Sequence, residues 1–272
     1  MARAEDLTLL LTTALLIKIV CSILVALIAI YAAEHLGPVW GGMIAGIPST
    51  VGPAYIILAI DYGDAFVADS ALASAAAMVA TFLFPTAAAL AARRVNPWFV
   101  LPITWAVWAT AAVAVKAVTW TLPLAVGANL VVFIAAVAAT HRIATEPVEV
   151  PAVVRRWYDL FLRAILAGCF VGFVTAASAV LGPTMAGILT MFPIVFSTLC
   201  VILLSRMGPH VAAATFANCI WPMLPLPLAL GLVHMTAVPW GSAIALSLGL
   251  AICIGWNAAL ILWRHTRPAP AL

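Results

Sequence analysis

Long apolar runs alternate with short polar interruptions along the chain, near 8–33, 38–60, 66–92, 98–118, 121–140, 158–181, 184–205, 210–233 and 240–263. A helix needs about 20 apolar residues to cross a bilayer core, and each run supplies them. Lipid offers no partner to backbone N–H and C=O groups, so a spanning segment is a helix or part of a closed barrel. The two-residue alternation of barrel strands is absent from these runs. The pattern therefore predicts about nine transmembrane helices in an all-α polytopic membrane protein. The one long polar stretch, 141–156, carries Glu146, Pro147, Glu149 and Pro151 and reads as the linker.

Composition agrees with the pattern. The 272 residues are 66% hydrophobic and 8% charged, with a mean hydropathy of +1.21; soluble domains are about 45–50% apolar and about 25% charged. Folding alone cannot hide that much apolar surface from water. Soluble enzymes, secreted disulfide scaffolds and disordered regulators are excluded, and the bilayer is the expected partner. Basic clusters with interleaved aromatics are missing, so no nucleic acid is expected. Residues 31–33, Tyr-Ala-Ala, could imitate a signal-peptidase site, but the run before them is too long for a signal peptide and lacks a basic start.

Charge sets the orientation. Arg93, Arg94, Arg142, Arg155, Arg156, Arg206, Arg264 and Arg267 fall on one side of a nine-span arrangement. The other side carries Arg3 and Lys116 with Glu5, Asp6, Asp61 and Asp64. The positive-inside rule then puts the N-terminus outside and the C-terminus in the cytoplasm of a multi-pass cell (inner) membrane protein. Trp40, Trp98, Trp120, Trp157, Trp240 and Trp263 stand near span ends, where an interfacial belt places them. Trp105, Trp108, Trp221 and Trp256 fall inside spans and are expected between helices.

The chain also resembles itself. Leu36-Gly37-Pro38 recurs as Leu181-Gly182-Pro183, an offset of 145 residues (36 to 181). The same offset carries Lys18 to Arg163, Gly42 to Gly187, Pro48 to Pro193 and Gly63 to Gly208 without a gap. Spans one to four thus match spans six to nine, and span five is left as a connector. Equivalent points are five spans apart, an odd number, so the second unit must be upside down relative to the first. The expected organisation is a repeat unit at 8–118, a connector and linker at 119–157, and a second unit at 158–264. Inverted repeats of this kind are frequent in secondary transporters, which hold their sites at the repeat interface.

The second unit runs Phe161-Leu162-Arg163-Ala164-Ile165-Leu166, then Ala186-Gly187-Ile188-Leu189-Thr190-Met191-Phe192-Pro193, then Trp221-Pro222-Met223-Leu224-Pro225. In these stretches it resembles the small GlpM-like bacterial membrane proteins, which are themselves about four spans long. The first unit keeps Lys18, Gly46-Ile47-Pro48 and Asp69-Ser70, but has Ala76 and Ala80 where the second has Trp221 and Pro225. The resemblance covers most of both units and leaves out span five. It implies a tandem polytopic membrane protein and transfers no catalytic residue.

Candidate chemistry gathers at interrupted helices. Gly46-Ile47-Pro48-Ser49-Thr50-Val51-Gly52-Pro53 lies in the middle of span two. Each proline removes an N–H and clashes with the preceding turn, so the helix should unwind or kink there. Freed backbone groups with Ser49 and Thr50 could bind solute, or the hydroxyls could simply repair the helix. The matching segment around Thr190 and Pro193 should bend. Asn129, Asn218 and Asn257 are amides inside spans, expected to hydrogen-bond between helices; Asn218, one turn from Trp221, is the best candidate for a further role, lining a small, mildly polar cavity with Ser49, Thr50 and Thr190, with Trp221 as a wall. Asp64 is the natural cap of span three, which leaves Asp69, with Ser70, as a candidate for a coupling ion. Lys18 and Arg163 sit close enough to span ends to snorkel, and the Gly-x-x-x-Gly spacings suit close helix packing.

No site of another chemistry is visible. Cys21, Cys169, Cys200, Cys219 and Cys253 all lie within apolar runs without CxxC spacing and read as small apolar residues. HExxH, GxSxG and Walker patterns are absent. No catalytic residue, metal or cofactor is expected, and the protein is not expected to be an enzyme. The favoured reading is a carrier for a small neutral, zwitterionic or weakly anionic solute, driven by rocking of the repeats and open to H⁺ or Na⁺ coupling. The alternative is a non-transporting accessory protein or a membrane-embedded enzyme of envelope or lipid biosynthesis. Either reading leaves room for a homo-oligomer.

Overall fold

A computed structural model describes residues 50–146, 148 and 157–266. The regular structure among them is helical: α1 (Val51–Ala92), α2 (Pro97–Lys116), α3 (Leu122–Thr145), α4 (Trp157–Thr190), α5 (Ile194–Arg206), α6 (Pro209–Met223), α7 (Pro225–Trp240) and α8 (Ser242–Thr266). Among the described residues, six helical segments are long and apolar enough to cross a membrane: Val51–Ala92, Pro97–Lys116, Leu122–Thr145, Ile165–Arg206, Pro209–Trp240 and Ser242–Trp263. Span one, the first half of span two, and Lys18, Pro48 and Ser49 lie outside the described residues, as does the Arg163 side chain.

Two of these segments fold back on themselves. Inside α1, Gly63 has φ 79° and ψ −176°. The Tyr55 hydroxyl then lies 2.7 Å from Ser74 Oγ, although 19 residues of straight helix would hold them about 28 Å apart. Residues 51–62 are therefore a short arm packed along a long arm, 64–92. Gly182, with φ 74° and ψ 178°, does the same in α4, where the Phe170 and Phe192 ring centroids come within 5.4 Å. Gly208 and Gly241 make the turns before α6 and α8 with φ of 86° and 83°. A Cβ disfavours this backbone region, so glycine allows a near one-residue reversal between helices. The reversals at 63, 93–96, 117–121, 182, 207–208 and 241 fall at or within a residue or two of the expected interruptions.

The long arm of α1 is the centre of the molecule and packs against α2, α3, α4, α6 and α7. Ala71, Ala75, Ala76, Ala77, Ala80 and Ala88 are buried along it. Small side chains let helix backbones approach closely where lipid supplies no hydrophobic drive. The long arm and α6–α7 run antiparallel. At one end Asp64 accepts the Ser242 N–H at 2.8 Å, and His234 Nδ1 lies 2.8 Å from the Ala68 carbonyl oxygen. At the other end the Arg93 guanidinium lies 3.5 Å from His210 Nδ1 and grips Glu146 through both carboxylate oxygens, at 2.6 and 2.9 Å.

Several expectations change in detail. Span eight reaches Trp240, beyond 233, and is broken at Leu224 between α6 and α7. Pro225 has no N–H for the Trp221 carbonyl; the Leu224 N–H at 3.3 Å and Trp256 Nε1 at 3.0 Å donate to that oxygen, and Asn257 Nδ2 reaches the Pro222 carbonyl at 3.5 Å. Asp64 caps α8 through Ser242, across the fold, where a cap for its own arm was expected. The break at Pro193 is present: α4 ends at Thr190 and α5 starts at Ile194. In span two the described helix starts at Val51 with Pro53 in its first turn, a position that tolerates proline.

Candidate functional site

A cavity of about 600 Å³ lies where the interrupted helices meet. The start of α1 contributes Thr50 and Val51, and the middle of its long arm contributes Met78 and Thr81. Residues 190–196 form one wall; Thr215, Asn218 and Cys219 of α6 face in from another. Ala144 and Glu146 stand at its edge, beside the Glu146–Arg93 ion pair. This part of the wall lies toward the Arg93 end of the molecule.

Its wall is polar in a restricted way. Thr81 Oγ1 donates to the Met191 carbonyl at 3.0 Å, and Thr190 Oγ1 donates to Ala186 at 2.7 Å. Thr215 Oγ1 donates to Val211 at 2.8 Å, and Asn218 Nδ2 donates to Ala214 at 2.9 Å and Ala144 at 3.3 Å. These protons are committed to backbone carbonyls, so the side chains turn mainly lone pairs toward a ligand. Neither Thr50 nor Pro193 gives a side-chain cap to the helix it precedes. The first N–H groups of a helix have no intrahelical partner, and the residues at both starts line the cavity, Val51 in α1 and Val195 and Phe196 in α5. Among the described residues Glu146 is the one charged residue on the wall, and it is already paired.

Of the residues singled out in the sequence, Thr50, Thr190, Pro193, Asn218 and Asn257 are brought together here. Gly52, Pro53, Asp69 and Ser70 are not on the wall. Asp69 is exposed and Ser70 fully buried on the long arm. Trp221 turns away: its ring meets Phe133 edge-on at 5.2 Å, beside a separate recess with His141 and Arg142. Trp108 is buried against Phe192, whereas Trp98 and Trp240 are exposed at helix ends. All three amides bond between helices, Asn129 to the Ala75 carbonyl at 2.7 Å. Sequence reasoning missed Met78, Thr81, Thr215, Cys219 and Glu146. The 145-residue offset held a usable signal, since it pairs Met78 with Met223, and both line the cavity.

Among the described residues, no group of three or more His, Cys, Asp or Glu side chains could hold a metal ion. No protein-family model, curated protein or solved structure matches the chain. The class is thus set by the fold itself: a protein helical through its described residues, whose six long apolar segments there mark it as a membrane protein.

Proposed function

We propose that the protein is a secondary carrier of the cell membrane for a small neutral, zwitterionic or weakly anionic solute, built from two inverted repeats that rock about the cavity. One observation carries the reading. Met78 and Met223, Thr81 and Leu226, Thr50 and Val195, and Val51 and Phe196 are each 145 residues apart, and all eight line the cavity. A site on the interface of inverted repeats should have this composition.

The helix limits support the repeat. Shifted by 145, the arms 51–62 and 64–92 and helix α2 become 196–207, 209–237 and 242–261, which fall on α5, α6–α7 and α8. Gly63 and Gly208 share one backbone conformation. The antiparallel course of the long arm and α6–α7 is what an in-plane pseudo-two-fold axis requires, and α3 is the connector without a counterpart. With span one and the first half of span two, the reversals then count nine passes, N-terminus outside, and the kinship with GlpM-like proteins is part of this proposal.

The test is solute affinity. Thr50→Val and Asn218→Leu keep the size of the wall and remove polar groups from it. Where such a group contacts the solute, the loss is about 1–3 kcal/mol, roughly five- to 150-fold in affinity. Unchanged transport in both variants, with normal insertion, removes the cavity as the site.

A further inference from the structure

We propose that the face of α1 formed by Ser70, Ala73 and Ser74 belongs to the transport path, lining a second cavity that opens toward the Asp64 end in the alternate state. The proposal rests on the carrier reading above. The 145-residue offset carries Ser70, Ala73 and Ser74 to Thr215, Asn218 and Cys219, and those three line the present cavity. Equivalent faces of the two repeats are thus in opposite conditions, one open to a cavity and the other covered.

What covers it is the short arm 183–190 of α4, at closest approach to the long arm. A Cβ on Gly187 would overlap the Ser70 carbonyl oxygen and lie 2.9 Å from Ala73 Cβ and 3.0 Å from the Ser74 nitrogen. Glycine alone permits this contact. Ser74 Oγ donates to the Gly187 carbonyl at 2.7 Å and lies 2.7 Å from the Tyr55 hydroxyl. The seal is therefore one hydrogen bond and a backbone contact between α1 and α4, elements of opposite repeats, braced by the Tyr55–Ser74 hydrogen bond within α1. It is also polar: Tyr55, Ser70 and Ser74 place three hydroxyls where a dry, permanent helix contact needs none. Ser70 Oγ is fully buried without a hydrogen-bond partner. A buried hydroxyl left alone is destabilising, and wetting of this face gives it one. Rocking the short arm off this face while the Thr215–Asn218–Cys219 face is covered exchanges the two conditions, as inverted repeats demand. The face carries hydroxyls and no charge, so it suits the same uncharged or zwitterionic solute.

Thiol accessibility tests this. Single cysteines, Ser70→Cys, Ser74→Cys and Asn218→Cys, are placed in a chain whose native cysteines are alanine. A charged, membrane-impermeant methanethiosulfonate is then applied to each side of sealed vesicles. Asn218→Cys should react from the Arg93 side. Ser70→Cys and Ser74→Cys should react from the Asp64 side. Gly187→Ala or Tyr55→Phe, each of which loosens the seal, should speed Ser70→Cys about tenfold and slow Asn218→Cys. Two variants are used because Gly187→Ala could misfold, and Tyr55→Phe removes a single oxygen. Inert Ser70→Cys and Ser74→Cys beside a reactive Asn218→Cys, in both loosened variants, overturns the second cavity and leaves the carrier reading standing. An inert Asn218→Cys strikes at the present cavity, and so at both.

Discussion

Met78 and Met223 stand 145 residues apart in the chain and face the same cavity, one from the middle of the α1 long arm and the other from the end of α6. These two residues thus meet on one space between helices that run in opposite directions, as the proposed inverted repeats require. This relationship is the basis of the symmetry prediction: in an experimental structure, residues 51–116 should superpose on 196–261 after a rotation of about 180° about an axis in the membrane plane. Superposition about the membrane normal, or none, makes the offset a coincidence.

The four glycine turns should resist substitution. Gly63, Gly182 and Gly208 have positive φ with ψ near 180°, a region open to little besides glycine and worth about 1–3 kcal/mol of strain for any other residue. Gly63→Ala and Gly208→Ala should each lower the thermal unfolding midpoint in detergent. Gly52→Ala is the control, since a Cβ there meets nothing within 4 Å and its helix position favours alanine. Equal behaviour of all three variants would contradict the turn assignment.

Asn129→Leu should be nearly neutral, although Asn129 is buried. Its Nδ2 bonds the Ala75 and Ala125 carbonyls, but its Oδ1 has no partner. Interhelical bonds in membranes average about 0.6 kcal/mol, and removing the orphan oxygen recovers part of that. The expected change is under about 1 kcal/mol, read from unfolding in mixed micelles. A loss several times larger would mean that the amide does more than join α3 to α1.

Orientation follows from which ends share a side. Arg93 lies beside His210, just past Arg206 in the turn at Gly208, and it pairs with Glu146, close after Arg142. The end of α8 returns to the same side, because α8 starts at Asp64. In the orientation proposed above, the positive-inside rule makes that side cytoplasmic. A reporter fused after Leu272 should be active only in the cytoplasm; activity in the periplasm would reverse the orientation.

The reversals were legible in the sequence because Gly, Pro and charge interrupt otherwise apolar runs, and Gly63, Gly182 and Gly208 stand in those interruptions. The break at Pro193 was legible because a missing N–H has only local consequences. What each helix turns toward its neighbours was not. Helices apolar all round carry no amphipathic stripe, so nothing in the residues near 221 told that Trp221 faces Phe133 while Asn218 faces the cavity. The partner of Asp64 was hidden for another reason: Ser242 lies 178 residues away, and only the antiparallel packing of the long arm and α6–α7 brings them together. The break at Leu224 is not legible in the same way, because Pro222, Pro225 and Pro227 sit within an apolar run.

The most direct measurement is uptake by the purified protein in proteoliposomes, using small neutral and zwitterionic solutes first selected by thermal stabilisation. The account predicts saturable uptake of a stabilising solute. It also predicts that Asn218→Leu, inserted normally, raises the half-saturation concentration at least about fivefold, the lower end of losing one hydrogen bond. A solute that binds and stabilises the protein without crossing the membrane, or uptake that Asn218→Leu and Thr50→Val leave unchanged, would contradict it.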